Sequence, residues 1–157
     1  MSMLVSDYDG TFEGNGLNFK LNCEKVQEFI NLGNTFVLAS SVPCEILIKL
    51  AQNLKIPYSF LAGNNGICDH NQQMICSTGN GNGFSKTAAV NFLESELGVN
   101  YEEIFTIGND TSDYGMIDWW NGFHIGTNKQ LSEISLGQYS NVHELIDDII
   151  KKKVKKR

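Results

Sequence analysis

Residues 3–11 read MLVSDYDGT, an apolar run that leads directly into two carboxylates and a glycine. A short, continuous apolar run of this kind is typical of a strand buried on both faces of a sheet. Asp7 and Asp9 follow it two residues apart, and Gly10 allows the backbone to turn sharply after them. Like charges this close repel each other unless a cation or a shared proton relieves them. The stretch therefore predicts a buried strand that delivers two carboxylates to a cation site.

The rest of the chain alternates segments typical of strands with segments typical of helices. Predicted strands cover residues 3–5, 35–39, 58–61, 104–107 and 123–125, a hairpin covers residues 66–77, and a Gly/Asn loop covers residues 78–83. Predicted helices cover residues 23–32 with Asn22 as N-cap and Gly33 as the stop, residues 43–54 with Pro43 in the first turn, residues 84–97 with Phe84, Ala88, Phe92 and Leu93 on one face, and residues 142–150. This alternation predicts an α/β fold, with a mostly parallel central sheet covered by helices on both faces.

The length of 157 residues favours one domain, and 41% hydrophobic residues suffice for a single core. Six of the 12 cationic side chains lie in residues 151–157, so residues 1–150 hold six cationic side chains against 18 acidic ones. We predict one core domain at residues 1–150, followed by a basic tail at residues 151–157 that forms a solvated helix end. The acidic body makes nucleic acid an improbable partner.

The compartment follows from what the sequence lacks. No apolar run approaches the roughly 18 residues of a membrane-spanning helix, and the start of the chain does not resemble a signal peptide. We therefore expect a cytoplasmic protein with no membrane insertion. Cys23, Cys44, Cys68 and Cys76 form no CxxC pair, so we expect free thiols in a reducing compartment. A disulfide between Cys68 and Cys76 across the hairpin is the less favoured alternative.

Polar residues follow each of the predicted parallel strands. Ser40 and Ser41 follow the second strand, and the acidic loop at residues 108–113 follows the strand at residues 104–107. Lys86 opens a helix directly after the Gly/Asn loop. In sheets of this kind, ligands bind beyond the carboxyl ends of the strands, near a switch in strand order. Carboxylates, hydroxyls and an ammonium group at one sheet edge suit a divalent cation that holds a phosphate.

The ordered set DYDGT, SS, SKTAAV and IGNDTSDYGM, spread over residues 7–116, resembles the haloacid dehalogenase (HAD) superfamily of phosphohydrolases. The Cof-type, sugar-phosphatase-like branch is the most similar, and the resemblance extends through residues 1–150. It implies a three-layer, Rossmann-like core with a central, mostly parallel sheet. Only about twenty residues separate Gly66 from Lys86, so the cap domain that Cof-type relatives carry at this place is expected to be missing.

The resemblance also implies roles for individual residues. Asp7 would be the nucleophile that takes the phosphoryl group as an aspartyl phosphate. Asp9 would be the general acid and base, and its main-chain carbonyl would ligate Mg²⁺. Lys86 would neutralise charge on the phosphate and on Asp7. The implied phosphate-binding set is Ser40, Ser41, Lys86, Gly10 and Thr11, and the implied metal set is Asp7, Asp9, Asn109, Asp110 and Asp113.

Two departures from the family pattern concern the site. Relatives usually have an aspartate where this chain has Asn109, and the neighbouring Asp110 serves instead if the loop is shifted by one residue; the sequence leaves both open. A neutral amide oxygen binds Mg²⁺ less strongly than a carboxylate. Relatives also often read Thr-Gly-Arg where this chain reads Ser-Ser-Val at residues 40–42. The chain has no arginine before Arg157, so no guanidinium from its body is expected to hold the distal part of a substrate.

These observations predict a Mg²⁺-dependent phosphatase that hydrolyses a phosphomonoester, with a sugar phosphate, a sugar-acid phosphate or a nucleotide as the phosphorylated small-molecule substrate. One alternative is a phosphotransferase or phosphomutase that uses the same residues. Another is a non-catalytic binding or assembly protein that has kept the fold.

Without a cap, a neighbouring subunit could supply the lid that covers the site. We therefore expect a homo-oligomer, a dimer or tetramer, with the hairpin at residues 67–76 as the candidate contact.

Overall fold

The computed structural model describes residues 1–14, 16–77 and 83–157. Residues 78–82 of the predicted Gly/Asn loop lie outside the described residues. The strands are β1 (Met3–Asp7), β2 (Thr35–Ala39), β3 (Phe60–Gly63), β4 (Gly66–Asp69), β5 (Met74–Ser77), β6 (Ile104–Gly108) and β7 (Asn121–His124). The helices are α1 (Gly16–Asn31), α2 (Cys44–Leu54), α3 (Lys86–Leu97), α4 (Tyr114–Trp119), α5 (Lys129–Ile134) and α6 (Val142–Ile150). Single helical turns occur at Tyr8–Phe12, Tyr101–Glu103 and Thr111–Asp113.

These strands form one sheet in the order β5-β4-β3-β2-β1-β6-β7. β1 pairs in parallel with β2 on one side and with β6 on the other, while the predicted hairpin β4–β5 extends one edge in antiparallel pairing. The chain moves outward from β1 through β2 to β3 and later returns to place β6 on the opposite side of β1. This reversal opens a crevice at the carboxyl ends of β1, β2 and β6.

Side chains of the central strands alternate between two hydrophobic cores. Leu4 and Leu38 pack with residues of α1, α2 and α6, whereas Met3, Val5 and Val37 pack with residues of α3, α4 and α5. All five are fully buried, and each such side chain contributes about 1.5–3 kcal/mol by leaving water. The three-layer α/β architecture predicted from the sequence is confirmed.

The structure also confirms that the core carries no cap domain. Between β3 and α3 the described residues form only the hairpin β4–β5, and the five residues at 78–82 are too few to form a domain.

Over residues 1–14, 16–77 and 83–157, no helix has the length and apolar character that a membrane crossing requires. All four cysteines are free thiols, as expected.

The first helix corrects one prediction and confirms another. α1 begins at Gly16, so Asn22 lies inside the helix and is not its N-cap. Its side chain is 1% exposed, donates to the carbonyl oxygen of Phe12 at 3.1 Å and accepts from the amide of His143 at 2.9 Å. These tertiary contacts outweigh the preference of asparagine for a helix end. Gly33 stops the helix as predicted, with φ +89° and its amide bonded to the carbonyl of Ile30 at 2.9 Å.

Three smaller predictions are corrected as well. Pro43 is the N-cap of α2 and does not lie in its first turn. α3 starts at Lys86 and buries Ala89, Val90 and Leu93, so its buried face is rotated from the predicted one. The basic stretch is not simply a solvated helix end. α6 stops at Ile150, and the guanidinium of Arg157 donates to main-chain carbonyls of residues 117, 120 and 134.

Replacing Asn22 by alanine tests the buried link that it forms between the turn after β1, α1 and the start of α6. We expect Asn22→Ala to lower the free energy of unfolding by about 2 kcal/mol, because it leaves a buried carbonyl and a partly buried amide without partners. Urea denaturation followed by circular dichroism measures the change. Asn31→Ala, an exposed asparagine in the same helix, is the matched control and should shift the free energy by less than about 0.5 kcal/mol. Equal effects of the two substitutions would contradict this account.

Candidate active site

The candidate site begins where β1 ends at the buried residue Asp7. The chain then forms a tight turn closed by a hydrogen bond from the amide of Glu13 to the carbonyl of Tyr8 at 2.8 Å. Gly10 has φ +74° within this turn, and a β-carbon there would collide with the side chain of Asn109. Glycine is therefore required at this position both by its backbone angle and by the close approach of the loop after β6.

Lys86, the first residue of α3, reaches into the crevice. Its ammonium group lies 2.7 Å from Asp7 Oδ1 and 2.7 Å from Asp113 Oδ1. The side chains of the three residues are 10%, 4% and 0% exposed, respectively. Ser85 caps α3 by accepting a hydrogen bond from the amide of Ala88 at 3.0 Å, which fixes the point from which the lysine extends. One cation thus joins two buried carboxylates that come from different strands.

The loop after β6 is organised around Asp113. Its Oδ2 accepts hydrogen bonds from the amides of Asn109 and Asp110, at 3.0 and 3.2 Å. A β-carbon at residue 108 would overlap the Asp113 carboxyl group, so Gly108 is what allows the loop to close on that side chain. With Oδ1 on Lys86, this carboxylate is bonded on both oxygens. Asp113 therefore shapes the loop and positions the lysine.

The side chains of the two candidates that the sequence left open beside Asp113 lie in different surroundings. Asp110 is exposed, and its carboxylate accepts from the amide of Ser112 at 3.2 Å. The side chain of Asn109 turns inward, and one end of its amide group lies 3.0 Å from Asp7 Oδ2 and 2.8 Å from the carbonyl oxygen of Asp9. Asn109 is therefore the residue of the pair that faces the nucleophile candidate.

Hydroxyl groups line the other side of the crevice. Ser40, which follows β2 and is 5% exposed, donates to Asp9 Oδ2 at 3.5 Å, while the carboxylate of Asp9 itself is exposed at the rim. Thr11 is buried and donates to Asp7 Oδ2 at 3.5 Å. Ser41 is exposed, and its carbonyl accepts from the side chain of Asn64 at 2.8 Å. All the residues predicted for the phosphate set thus surround the end of β1 or the adjacent crevice.

Sequence reasoning missed the residues that support the Ser40–Ser41 loop. Asn64 donates to Ser41, and Asn65 Oδ1 accepts from the amide of Cys44 at 2.9 Å, so the segment between β3 and β4 holds the loop that follows β2. Gly63 permits this approach, because a β-carbon there would lie 2.6 Å from the nitrogen of Cys44. The available signal was the Asn-Asn-Gly run at residues 64–66, two residues beyond the predicted strand at residues 58–61.

Burial and charge act together on the ionised groups. Burial, followed by the nearby carboxylate of Asp113, raises the pKa of Asp7 to about 7 despite the opposing effect of Lys86. Burial lowers the pKa of Lys86, but the carboxylates of Asp113 and Asp7 outweigh it, so the pKa of the lysine lies above its ordinary value. The lysine therefore stays charged, and the pair of carboxylates retains an excess of negative charge that favours a further cation.

The oxygen atoms at this place fit Mg²⁺. Asp7 Oδ2 and the carbonyl oxygen of Asp9 lie within 3.0 Å of one atom of the Asn109 amide, so both point at the same small volume. Mg²⁺ is bound in proteins through one or two carboxylates and keeps several waters. Within the described ranges, no group of three or more His, Cys, Asp or Glu side chains could hold a metal ion. Any metal here would therefore depend on the main-chain carbonyl and on Asn109.

An open cleft of about 340 Å³ leads to the site, and Ser40, Ser41, Asn64, Gly83, Phe84, Ser85, Lys86 and Ser112 line it. Among these described residues only Lys86 is cationic, and its ammonium group is already engaged by two carboxylates. The remaining lining is hydroxyl, amide and one aromatic ring. The cleft is suited to a polar, uncharged group placed next to a phosphate.

Comparisons with known proteins establish the fold. No protein-family model and no curated protein matches the sequence, whereas 73 solved chains match the structure. A haloacid dehalogenase-like hydrolase from Bacteroides thetaiotaomicron superposes with a TM-score of 0.79 at 14% identity, over 94% of this chain and 99% of that chain. A probable YrbI-family phosphatase from Pseudomonas syringae superposes with a TM-score of 0.70 at 18% identity, over 98% and 86%.

A third similar structure is 3-deoxy-D-manno-octulosonate 8-phosphate phosphatase from Moraxella catarrhalis, in complex with a magnesium ion, a phosphate ion and a KDO molecule. Its TM-score is 0.69 at 15% identity, over 96% of this chain and 86% of that chain. Sequence identities this low show a shared fold but not a shared substrate. The assignment to the Cof-type branch stays a prediction. The chain therefore has the fold of the HAD-superfamily phosphatases in its capless form.

Proposed function

We propose that the protein is a Mg²⁺-dependent phosphomonoesterase of the HAD type, with Asp7 as its nucleophile. The observation that carries the proposal is the ammonium group of Lys86, held 2.7 Å from both Asp7 and Asp113 at the switch point of the sheet. An ordinary acidic turn would not require a buried lysine from another layer of the fold. Two further groups lie next to this pair. The hydroxyl of Ser40 can donate a hydrogen bond to a phosphate oxygen, and the exposed carboxyl group of Asp9 can carry a proton.

In the proposed first step, a carboxylate oxygen of Asp7 attacks phosphorus and forms an aspartyl phosphate. The bond between phosphorus and the leaving oxygen breaks, and the carboxylic acid of Asp9 gives its proton to that oxygen. Lys86 and Ser40 face the phosphoryl oxygens, where they stabilise the charge that develops in the transition state. Asp9 suits this role because its carboxylate is exposed at the rim, where the leaving group would lie.

In the second step, a water molecule attacks the same phosphorus and the bond to Asp7 breaks, which releases phosphate. The water gives its proton to the carboxylate of Asp9, so both aspartates return to their starting states. Asp7, the carbonyl of Asp9 and Asn109 would hold the metal, with Asp113 acting through the loop and through Lys86. When bound, Mg²⁺ supplies charge that reduces the repulsion between the phosphate and the nucleophile.

The lining of the cleft supports a substrate whose leaving group carries no charge. Lys86 is the only cationic side chain among the described lining residues, and residues 78–82, read from the sequence, add none. Of the substrate classes that the sequence left open, the phosphate ester of an uncharged sugar therefore fits better than a sugar-acid phosphate. Phe84 offers an apolar surface for a sugar or nucleoside ring.

Asp7→Asn tests the nucleophile. We expect phosphate release from a panel of phosphomonoesters with Mg²⁺ to fall at least about 10³-fold, because the amide cannot form the acyl phosphate. Asp118→Asn, an exposed aspartate in α4, is the matched control and should leave the rate within about twofold. Thermal unfolding of both variants checks that the fold is intact. Turnover by Asp7→Asn near that of the parent protein would overturn the assignment.

A matched substrate pair tests the charge of the leaving group. We expect kcat/KM for glucose 6-phosphate to exceed that for 6-phosphogluconate by at least about tenfold, which corresponds to roughly 1.4 kcal/mol. The carboxylate of the second compound would enter a cleft with no free cation to receive it. Ser41→Arg, which adds a guanidinium to the lining, should narrow the ratio. A parent enzyme that prefers the sugar acid would contradict the proposal.

Two features of the sequence favour the non-catalytic alternative: Asn109 is neutral where an aspartate would bind the metal more strongly, and no arginine directly follows Ser40 and Ser41. Absence of phosphate release from every ester, with folded protein and saturating Mg²⁺, would support it. A phosphotransferase or phosphomutase would use the same residues. Phosphoryl transfer to an added sugar, faster than phosphate release, would reveal that activity.

Self-association through the hairpin β4–β5 remains a prediction. β5 is an edge strand of the sheet, and Met74 and Ile75 on it are 43% and 36% exposed. Exposed apolar edge strands tend to pair with another chain. Light scattering after size exclusion should give the mass of a dimer or tetramer, and Ile75→Lys should shift it toward the monomer. A monomeric parent protein would remove the hairpin as the source of a lid.

A further inference from the structure

A second cleft, of about 440 Å³, lies at the edge of the sheet opposite the candidate active site. Ser2, Asn34 and Glu103 line it, and these residues directly precede β1, β2 and β6, respectively. Because these three strands are parallel, their amino ends share one edge of the sheet and their carboxyl ends share the other. The cleft therefore faces away from Asp7 and Lys86.

Residues 151–157, which we call the basic strap, are fixed along this edge of the sheet. At the start of the strap, the amide of Lys153 bonds to the carbonyl of Asp148 at 2.9 Å, which ends α6. At the other end, Arg157 donates through its amide to Asn121 Oδ1 and through its guanidinium to main-chain carbonyls in α4 and α5, at 2.7 Å in each case. The lysines between these two anchors are therefore held on a defined surface.

The positive charge of the protein is concentrated on this surface. Lys152 and Lys156 line the cleft, whereas Lys153 and Lys155 line another cleft of about 420 Å³ beside the basic strap. Lys156 is paired with Glu103, but none of the ion pairs among the described residues involves the other three lysines, which are exposed. The rest of the chain has 18 acidic side chains against six cationic ones. Unpaired ammonium groups on an acidic protein orient this face toward a negatively charged partner.

Exposed aliphatic side chains accompany these lysines. Met1 and Leu32, which follows α1, line the same cleft as Lys152, and both are 59% exposed. A membrane with anionic lipids attracts lysines and also takes aliphatic side chains into its headgroup layer. Surfaces that bind single-stranded RNA use exposed aromatic side chains to stack the bases. Phe105, the aromatic residue of the described cleft lining, is buried, so the surface fits a lipid layer better than RNA.

We propose that this face, formed by the basic strap together with Met1 and Leu32, docks on an anionic lipid surface. The lysines lie against the negatively charged headgroups and Leu32 enters the headgroup layer, so the protein rests on the membrane without spanning it. Since the face lies at the amino edge of the sheet, a docked molecule keeps the crevice at Asp7 open to solution. The inference does not depend on the chemistry proposed for that crevice.

Sedimentation with lipid vesicles tests the role of the lysines. We expect the full chain to sediment with vesicles made of equal parts of phosphatidylserine and phosphatidylcholine, but not with vesicles of phosphatidylcholine alone, and added salt should weaken the binding. The combined variant Lys152→Gln, Lys153→Gln and Lys155→Gln should bind the anionic vesicles at least about 30-fold more weakly, because each lysine near such a surface contributes about fivefold.

A second triple variant is the matched control for net charge. Lys20→Gln, Lys49→Gln and Lys129→Gln together remove the same charge from exposed positions of α1, α2 and α5. Binding of this variant to the anionic vesicles should stay within about threefold of the parent protein, because these lysines lie outside the proposed face. Thermal unfolding followed by circular dichroism checks that both triple variants are folded.

Leu32→Gln tests the apolar part of the face. We expect this substitution to weaken binding to the anionic vesicles at least about fivefold, because the leucine side chain leaves the headgroup layer. Leu17→Gln is the matched control: Leu17 lies near the start of α1, far along the helix from Leu32, and is 68% exposed. Its substitution should change the binding by less than about twofold.

Three results would overturn the proposal. The first is the absence of sedimentation with anionic vesicles, and the second is an equal loss of binding in the two triple variants. The third is binding of single-stranded RNA, measured by fluorescence anisotropy, that is tighter than vesicle binding and unaffected by Leu32→Gln, which would assign the basic strap to a nucleic acid. These measurements use no phosphate ester, so a failure of the phosphatase assignment would be seen separately in the phosphate-release assay.

Discussion

The ion pairs of Lys86 are the interaction on which the rest of the site depends. The ammonium group comes from α3 on one face of the sheet, Asp7 ends the central strand β1, and Asp113 lies in the loop after β6. Removing the lysine would leave two like charges buried and unpaired, which costs several kcal/mol. The cation therefore offsets the charge of the two buried carboxylates, and it ties three separate parts of the chain to one point.

The arrangement is fixed before any ligand arrives. Asp113 is bonded to two main-chain amides and to Lys86, and Gly10 and Gly108 permit contacts that a β-carbon would block. Groups held in this way need little reorganisation when charge develops on a substrate, which is the condition for strong electrostatic stabilisation. Rigid support also comes from Asn22, which connects the end of the turn after β1 to α6.

Much of the fold could be predicted from the sequence, because the apolar runs that form β1, β2 and β6 are short and clearly bounded by polar residues or glycine. The meeting of Asp7, Lys86 and Asp113 follows from the same reasoning, since parallel strands end at one edge of the sheet. The start of α1 could not be predicted, because Asn22 resembles a helix cap and is held within the helix by residues far along the chain. Which of the adjacent residues Asn109 and Asp110 faces Asp7 could not be predicted either, because it depends on the hydrogen bonds within the loop.

A neutral residue at position 109 also matters for a protein with an acidic body. Residues 1–150 hold 18 acidic side chains against six cationic ones, so a phosphate ester would approach against an unfavourable field. With Asp9 as the proton donor of the proposed first step, ionised Asp7, ionised Asp113 and Lys86 would give the site a formal charge of −1. A divalent cation would bring this charge to +1, whereas the same cation with an aspartate at residue 109 would bring it only to zero. A neutral Asn109 would therefore bind the metal less strongly than an aspartate and would leave a metal-loaded site that attracts a phosphate more.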